Sequence, residues 1–352
     1  SEMCIRDRYN GNKRLKTIQQ EKLNNQVAEL DVATSENNIQ ESIAQVYIQI
    51  LYAAESVKVN ESTLQVSIAQ RDRGQELLNA GSIAKSDFAQ LEAQVSTDRY
   101  QLVTAQATLE DYKLQLKQLL ELDGENEMNI YLPALSDENV LAPLPTKKDV
   151  YIRALSLRPE IEASKLNVEA SELGIGIAKS SYLPTISLSA GIGTNHTSGS
   201  DFTFGEQVKN GWNNSIGLSV SVPIFNNRQT KSAVQKAKLQ YETSMLSLLD
   251  EQKTLYKTIE GLWLDANSAQ QRYAAANEKL KSTQISYELI SEQFNLGMKN
   301  TIELLTEKNN LLQAQQEQLQ AKYMAILNMQ LLKFYQGDQL ACLLYTSPSP
   351  RD

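Results

Sequence analysis

A helical pattern over residues 13–80 ends at Leu78-Asn79-Ala80-Gly81, and a second over residues 228–296 ends at Phe294-Asn295-Leu296-Gly297. The two glycines are 216 residues apart (297 minus 81), and the offset holds without a gap back to the helix starts, where Tyr9-Asn10 aligns with Phe225-Asn226. Tyr47 falls on Trp263, Leu64 on Leu280 and Asp87 on Glu303. A tandem duplication of this length restricts the fold to two copies of one plan. In the second copy, positions 248, 255, 262, 269, 276, 283 and 290 read Leu, Leu, Leu, Ala, Ala, Thr and Ile. Ile259, Ala266, Tyr273, Leu280, Tyr287 and Phe294 supply the other half of a heptad seam. Small residues in the middle of such a stripe suit close packing of long helices. One helix from Lys231 to Leu296 would be about 100 Å long, beyond globular norms. Past each glycine a returning stripe begins: Phe88, Val95, Leu102, Leu109 and Leu116 in the first copy, Leu305, Leu312, Leu319 and Ile326 in the second. Each copy is predicted to be a helical hairpin with a glycine at its tip.

One stretch breaks the helical pattern. Between Ser181 and Phe225, Ile186, Leu188, Ala190 and Ile192 alternate with Thr185, Ser187, Ser189 and Gly191. Ile216, Leu218, Val220 and Val222 alternate with Ser215, Gly217, Ser219 and Ser221. A period of two puts each set on its own face of a strand. One face is aliphatic and the other carries only Ser, Thr and Gly, without a charge. The runs approach the ~9–11 residues that span a bilayer as tilted strands. They predict a membrane β-hairpin, its aliphatic set facing lipid and Ser187, Ser189, Ser219 and Ser221 facing a water-filled lumen. The loop between them, Thr194–Asn214, is rich in Asn, Gly and Ser. Open strand edges are not tolerated in lipid, so neighbouring copies must close the barrel.

The remaining sequence sets the boundaries. Residues 1–8 and 338–352 hold the two cysteines, Cys4 and Cys342, and break the surrounding patterns. Both segments are predicted to be non-native and to lie outside the fold, which leaves no disulfide or thiol chemistry. The first-copy hairpin occupies 9–122, and its strands and any signal peptide are predicted to be missing from this chain. An irregular connector with Gly124, Pro133, Pro143 and Pro145 covers 123–149. A returning helix at 150–180, interrupted at Pro159 and loosened near Gly174 and Gly176, delivers the chain to the β-hairpin at 181–225. The second helical hairpin fills 226–337. The formal net charge is −8. With no basic patch of interleaved aromatics, this argues against nucleic acid. No apolar run reaches the ~18 residues of a transmembrane helix.

The run Leu157-Arg158-Pro159-Glu160, followed by Ser181-Tyr182-Leu183-Pro184-Thr185-Ile186, resembles the TolC family of outer-membrane efflux proteins. The strand-to-helix junction Val220-Ser221-Val222-Pro223-Ile224-Phe225-Asn226 and the two glycine tips match it as well. The fold class implied is mainly α with membrane β: tandem long helical hairpins in a coiled-coil α-barrel, joined to a β-barrel shared by a homotrimer. The resemblance implies an outer-membrane exit duct of a Gram-negative bacterium, its helices projecting into the periplasm. A periplasmic adaptor (membrane fusion protein) would dock at the tips. An inner-membrane pump of RND, ABC or MFS type would drive efflux or type I secretion. It also implies an inward second hairpin and a polar lock at the tip level. Here Lys299, two residues past Gly297, would link to Asp87, six past Gly81, within or across protomers. Glu303 would then form an acidic ring. Thr306 stands where the family pattern places a second acidic ring residue. The alternative function is a non-channel periplasmic coiled-coil rod or adaptor, which the heptads alone also fit.

No catalytic set is legible. His196 is the only histidine and falls in the strand loop, so neither a zinc site nor a His-based triad can be built. No cofactor or metal is predicted, and no enzyme activity. The carboxylates lie on helix faces beside Lys, Arg and Gln, as solvated surface does. Tyr182, Trp212 and Phe225 sit near the strand ends, where aromatic girdles anchor a barrel.

Overall fold

The computed structural model describes residues 3–122, 140–199 and 201–338, with the side chains of residues 3–8 left out. It consists of β1 (Met3–Tyr9), α1 (Lys13–Asn79), α2 (Lys85–Leu119), α3 (Lys147–Leu157), α4 (Pro159–Ser180), β2 (Thr185–Gly193), α5 (Phe204–Asn210), β3 (Asn213–Ser221), α6 (Gln229–Asn295) and α7 (Thr301–Tyr335). The duplication is kept to the residue. Helices α1 and α6 are each 67 residues long, α2 and α7 each 35, and every one of their ends is displaced by the same 216 positions. Two compact units divide the chain, one of Ser1–Thr34 with Arg158–Thr254 and one of Ser35–Leu157 with Leu255–Asp352.

The first unit holds an antiparallel sheet in the order β1-β2-β3. Met3 pairs with Ile192 and Tyr9 with Ile186, so the segment expected to lie outside the fold is a strand along β2. That corrects the exclusion of residues 3–8 from the fold and the expectation that the first copy has no strand. The backbone between strand and helix is duplicated too. Gly11 and Asn12 have φ of 62°, and their repeat mates Asn227 and Arg228 have φ of 48° and 61°. Two left-handed residues in succession reverse the chain from strand into helix. Asn tolerates that conformation better than most residues, and Arg does not. At Gly11 the requirement is also steric, because a Cβ there would stand 2.8 Å from the Leu183 side chain.

Helix α4 starts at Pro159, where the missing N–H breaks no helical bond and φ is already helical. Its predicted loosening at Gly174 and Gly176 does not occur. The helix runs to Ser180, and the glycines let α1 lie close. Lys16 Nζ donates to Gly176 O at 3.4 Å and Gln20 Nε2 to Ala170 O at 2.8 Å. A Cβ on Gly176 would approach Lys16 Nζ to 2.9 Å.

In the second unit the stripes read from sequence are the packed faces. Tyr47, Ile48 and Leu51 of α1, Ala269 and Tyr273 of α6, and Leu319, Ile326 and Leu331 of α7 share one core, capped by Val140. Nearer the tips Leu91, Phe294 and Leu304 form a smaller cluster. The described end of the connector is strapped to α6. Trp263 Nε1 donates to Pro145 O at 2.9 Å, Gln270 Nε2 donates to the carbonyls of Val140 and Ala142, and Lys147 reaches Glu260 at 3.1 Å while lying over the Trp263 ring. The connector residues 123–139 and the tail 339–352 lie outside the described residues.

Candidate functional site

The sheet pairs its aliphatic residues with one another across β2 and β3: Ile186 with Val220, Leu188 with Leu218, Ala190 with Ile216. On the opposite face Ser187 pairs with Ser219 and Ser189 with Gly217, and Ser189 Oγ donates to Gly217 O at 3.3 Å. Ile192 stands opposite Asn214, Ser221 opposite Thr185, and Val222 one residue beyond β3. Directly opposed side chains of like polarity are what a two-faced sheet requires. Both strands are nine residues long. The aliphatic face is bare: Leu188 is 51 % exposed, Leu218 70 % and Ile216 84 %. Covering such a row with water-avoiding groups is worth roughly 25 cal/mol per Å² of apolar area.

The strand loop is more ordered than its composition suggests. Thr203 caps α5, with Glu206 completing a capping box. Gln207 accepts from the Thr197 amide at 2.8 Å and meets His196 Nδ1 at 3.0 Å. The sole histidine therefore fastens the loop, and its ring stands edge-on to Phe204. Tyr182, Trp212 and Phe225 are exposed near the strand ends.

At the tips the two copies share a backbone. Gly81 and Gly297 both have φ of +74°, and in each turn the residue after the glycine bonds back to a helix carbonyl at 2.8 Å, Ser82 to Leu77 and Met298 to Gln293. The side chains differ. Asn300 caps α7: its Oδ1 accepts from Glu303 N at 2.9 Å, and Glu303 Oε2 accepts from Asn300 N at 3.2 Å. Glu303 Oε1 takes Lys299 Nζ at 2.6 Å. The Lys299 ammonium and then the Asn300 amide hold the Glu303 carboxyl below its ordinary value of 4.5. The expected link from Lys299 to Asp87 is not made within the chain. Lys299 and Glu303 are four residues apart on one turn, and a local pair orders less chain than a reach to the other hairpin. Asp87 stands in the first turn of α2, where its charge complements the helix dipole. Thr306 Oγ1 donates to Ile302 O at 2.8 Å.

A polar cluster that the sequence reading missed lies behind the tips. Lys308 Nζ of α7 contacts Asp98 Oδ2 of α2 and Ser67 Oγ of α1, and Ser67 Oγ donates to the same carboxylate oxygen. Gln94 Nε2 donates to Asp98 Oδ1 at 2.9 Å. The Lys308 side chain is 4 % exposed and that of Asp98 1 %. Burial pushes the Lys308 pKa down while Asp98 pulls it back up. The available signal was Lys308 falling four residues after Leu304 and three before Leu311, a cation on the apolar stripe.

Among the described residues no helix is long and apolar enough to cross a membrane, and no group of His, Cys, Asp and Glu could hold a metal. A small two-faced antiparallel sheet, continued into duplicated long helical hairpins, defines the class of protein by its architecture. Residues 150–337 match the family described as outer membrane efflux protein, and the chain belongs to that family. The chain is 24 % identical over 290 residues to the outer membrane efflux protein BepC of Brucella suis, covering 82 % of this chain and 60 % of BepC. It is 23 % identical over 311 residues to the outer membrane protein TolC of Escherichia coli K12, covering 86 % and 62 %. The solved structure of the transmembrane channel CusC superposes with a TM-score of 0.83 at 17 % identity, over 96 % of this chain and 78 % of CusC. The chain thus spans about three fifths of the length of these curated relatives.

Proposed function

We propose that this chain belongs to a passive exit duct in the outer membrane of a Gram-negative bacterium, serving tripartite efflux or type I secretion. Three copies share one β-barrel, and the helical hairpins form a tunnel into the periplasm. An adaptor docks at the tips and an inner-membrane pump supplies the energy. The duct itself does no covalent chemistry. The observation that carries this reading is the division of the β2–β3 sheet into an exposed aliphatic face and a face of Ser and Gly. In the sheet order, β2 is central and β1 and β3 each keep an outer edge, which neighbouring copies would pair. The family assignment supports the conduit and gives no support to the rod or adaptor alternative. Gly81, Asp87, Gly297, Lys299 and Glu303 would lie at the periplasmic entrance, with Glu303 already neutralised locally by Lys299.

Arginine scanning of the two faces tests the proposal. Leu188→Arg and Leu218→Arg should block assembly into the membrane, since a cation on the lipid face near the bilayer midplane costs about 2–4 kcal/mol. Ser187→Arg and Ser219→Arg should assemble and lower bilayer conductance. Equal behaviour of the two pairs would overturn the facing and the barrel with it.

A further inference from the structure

The strand loop holds aromatic side chains outward on a fixed backbone. Phe202 is 61 % exposed and Phe204 66 %, and Trp212, just before β3, is exposed as well. An aromatic ring on a slack loop can turn inward and hide from water. These rings cannot, because the chain that carries them is tied down. Gln207 Nε2 donates to Phe202 O at 2.8 Å, and the Thr203 amide and hydroxyl both donate to Glu206 Oε2, at 3.0 and 2.8 Å. The His196 ring stands 5.2 Å from that of Phe204. Helix α5 is in turn fastened to the strand ends. Thr194 Oγ1, one residue past β2, donates to Val208 O at 3.2 Å, and a Cβ on Gly211 would stand 3.2 Å from backbone atoms of Asn195. The loop therefore lies along the rim of the sheet instead of reaching away from it.

The register sets the depth of that rim. Trp212 takes the next place in the series Val220, Leu218, Ile216 and Asn214, which runs along the aliphatic face. Six residues separate Leu218 from Trp212 (218 minus 212). They cover about 20 Å along a strand, or about 14 Å in depth at a tilt of about 45°, and half of the hydrocarbon core is about 15 Å. With Leu218 at the midplane, Trp212 stands where acyl chains meet headgroups, the level at which such rings are enriched. On α5, Phe204 and Val208 are four residues apart and share one side, while Glu206 and Asn210 share the other. A helix with one apolar and one polar side can lie in the plane of a membrane surface. We propose that α5, with Phe202, Phe204 and Trp212, is an interfacial anchor that seats between the acyl chains and headgroups of the outer leaflet and fixes the depth of the barrel. Its partner is the lipid surface itself. The inference rests on the conduit reading, in which the aliphatic face meets lipid and the loop, opposite the helices, faces the outer leaflet.

Tryptophan fluorescence in vesicles tests the anchor and the conduit separately. The full channel is given a single tryptophan: native Trp212, or one introduced by Phe204→Trp or Leu218→Trp, with phenylalanine at Trp263 and at every other tryptophan. Each version is reconstituted in phosphatidylcholine brominated either near the headgroup or near the chain ends. Leu218→Trp should lose most of its emission to the deep bromines. Trp212 and Phe204→Trp should lose at least about half of theirs to the shallow bromines and be shielded from aqueous acrylamide, as rings seated about 5–10 Å into the interface are. Quenching of Phe204→Trp by acrylamide and by neither bromine overturns the anchor, and a Leu218→Trp response to the deep bromines in the same lipid then keeps the conduit. Shielding of Phe204→Trp from acrylamide and from both bromines means that a neighbouring copy covers the loop, which overturns the anchor too. Leu218→Trp quenched by acrylamide and not by bromine rejects the lipid-facing sheet and the conduit with it. Should Phe204→Trp not assemble, Phe202→Trp takes its place with the same expected result.

Discussion

At the first tip, Ser82 N bonds to Leu77 O and Gly81 stands at φ +74°. At the second, Met298 N bonds to Gln293 O and Gly297 stands at the same φ. The turns differ in what their side chains do. Ala84 caps α2 with no side-chain hydrogen bond, whereas Asn300, Glu303 and Lys299 close α7 with a capping box and an ion pair. Further in, Lys308 carries a buried charge where its repeat mate Glu92 is exposed. Duplication preserved the features that a long helical hairpin cannot change, which are helix length, seam and glycine turn. The polar side chains were free to diverge, and the divergence gives the second hairpin its own attachments.

The comparison fails most visibly if Lys308 and Glu92 prove equivalent. Lys308→Met leaves Asp98 buried without its cation and should destabilise the protein by about 3–5 kcal/mol. Glu92→Met, on the exposed face of α2, should stay within about 0.5 kcal/mol. Denaturant midpoints of the two variants decide it, and similar shifts would mean that the buried pair contributes nothing special.

The glycines test the opposite half of the comparison, that the backbones are alike. Nothing lies within 4 Å of a Cβ added at Gly81 or Gly297. Only the left-handed conformation opposes a side chain there, so Gly81→Ala and Gly297→Ala should each lose about 1–2 kcal/mol. Unequal losses in thermal unfolding would show that one turn is held by more than its own backbone.

The smallest expected effect is an exchange of caps. Asn300→Ala should lose about 1 kcal/mol. Ala84 already has the extended cap conformation, φ −77° and ψ 156°, with Asp87 three residues on. Ala84→Asn should therefore gain up to about 1 kcal/mol, read as a raised melting temperature. If it gains nothing, the tips differ by more than the identity of one capping residue.

What the sequence disclosed follows a physical division. Heptad seams, glycine tips and the alternation from Thr185 to Val222 are local periodicities, and the structure places α1, α2, α6, α7, β2 and β3 where those patterns lie. Strand β1 is different. Cys4-Ile5-Arg6-Asp7-Arg8 has no alternation, and its extended form comes from pairing with β2, a partner that no local window contains. Gly174 and Gly176 read as weak points of a helix, yet they provide room for Lys16 and Gln20 of α1. Lys299 is expected to reach Asp87 within or across protomers, and within the chain the nearer Glu303 takes it. Lys308 and Asp98 meet across 210 residues of chain. Two isolated charges in separate heptads give no sign of one another.

The sheet register also bears on the order in which the molecule forms. Leu188 and Leu218 are 30 residues apart, whereas Met3 and Ile192 are separated by 189. Closing the longer loop costs roughly 1.6 kcal/mol more chain entropy. Contacts this distant in sequence also form late in folding. During synthesis β1 precedes β2, and α1 to α4 must be completed before that partner exists to receive it. The β2–β3 ribbon needs only the short stretch around α5 between its strands. Of the two pairings in the sheet, the one that involves the earlier strand is thus the later to form.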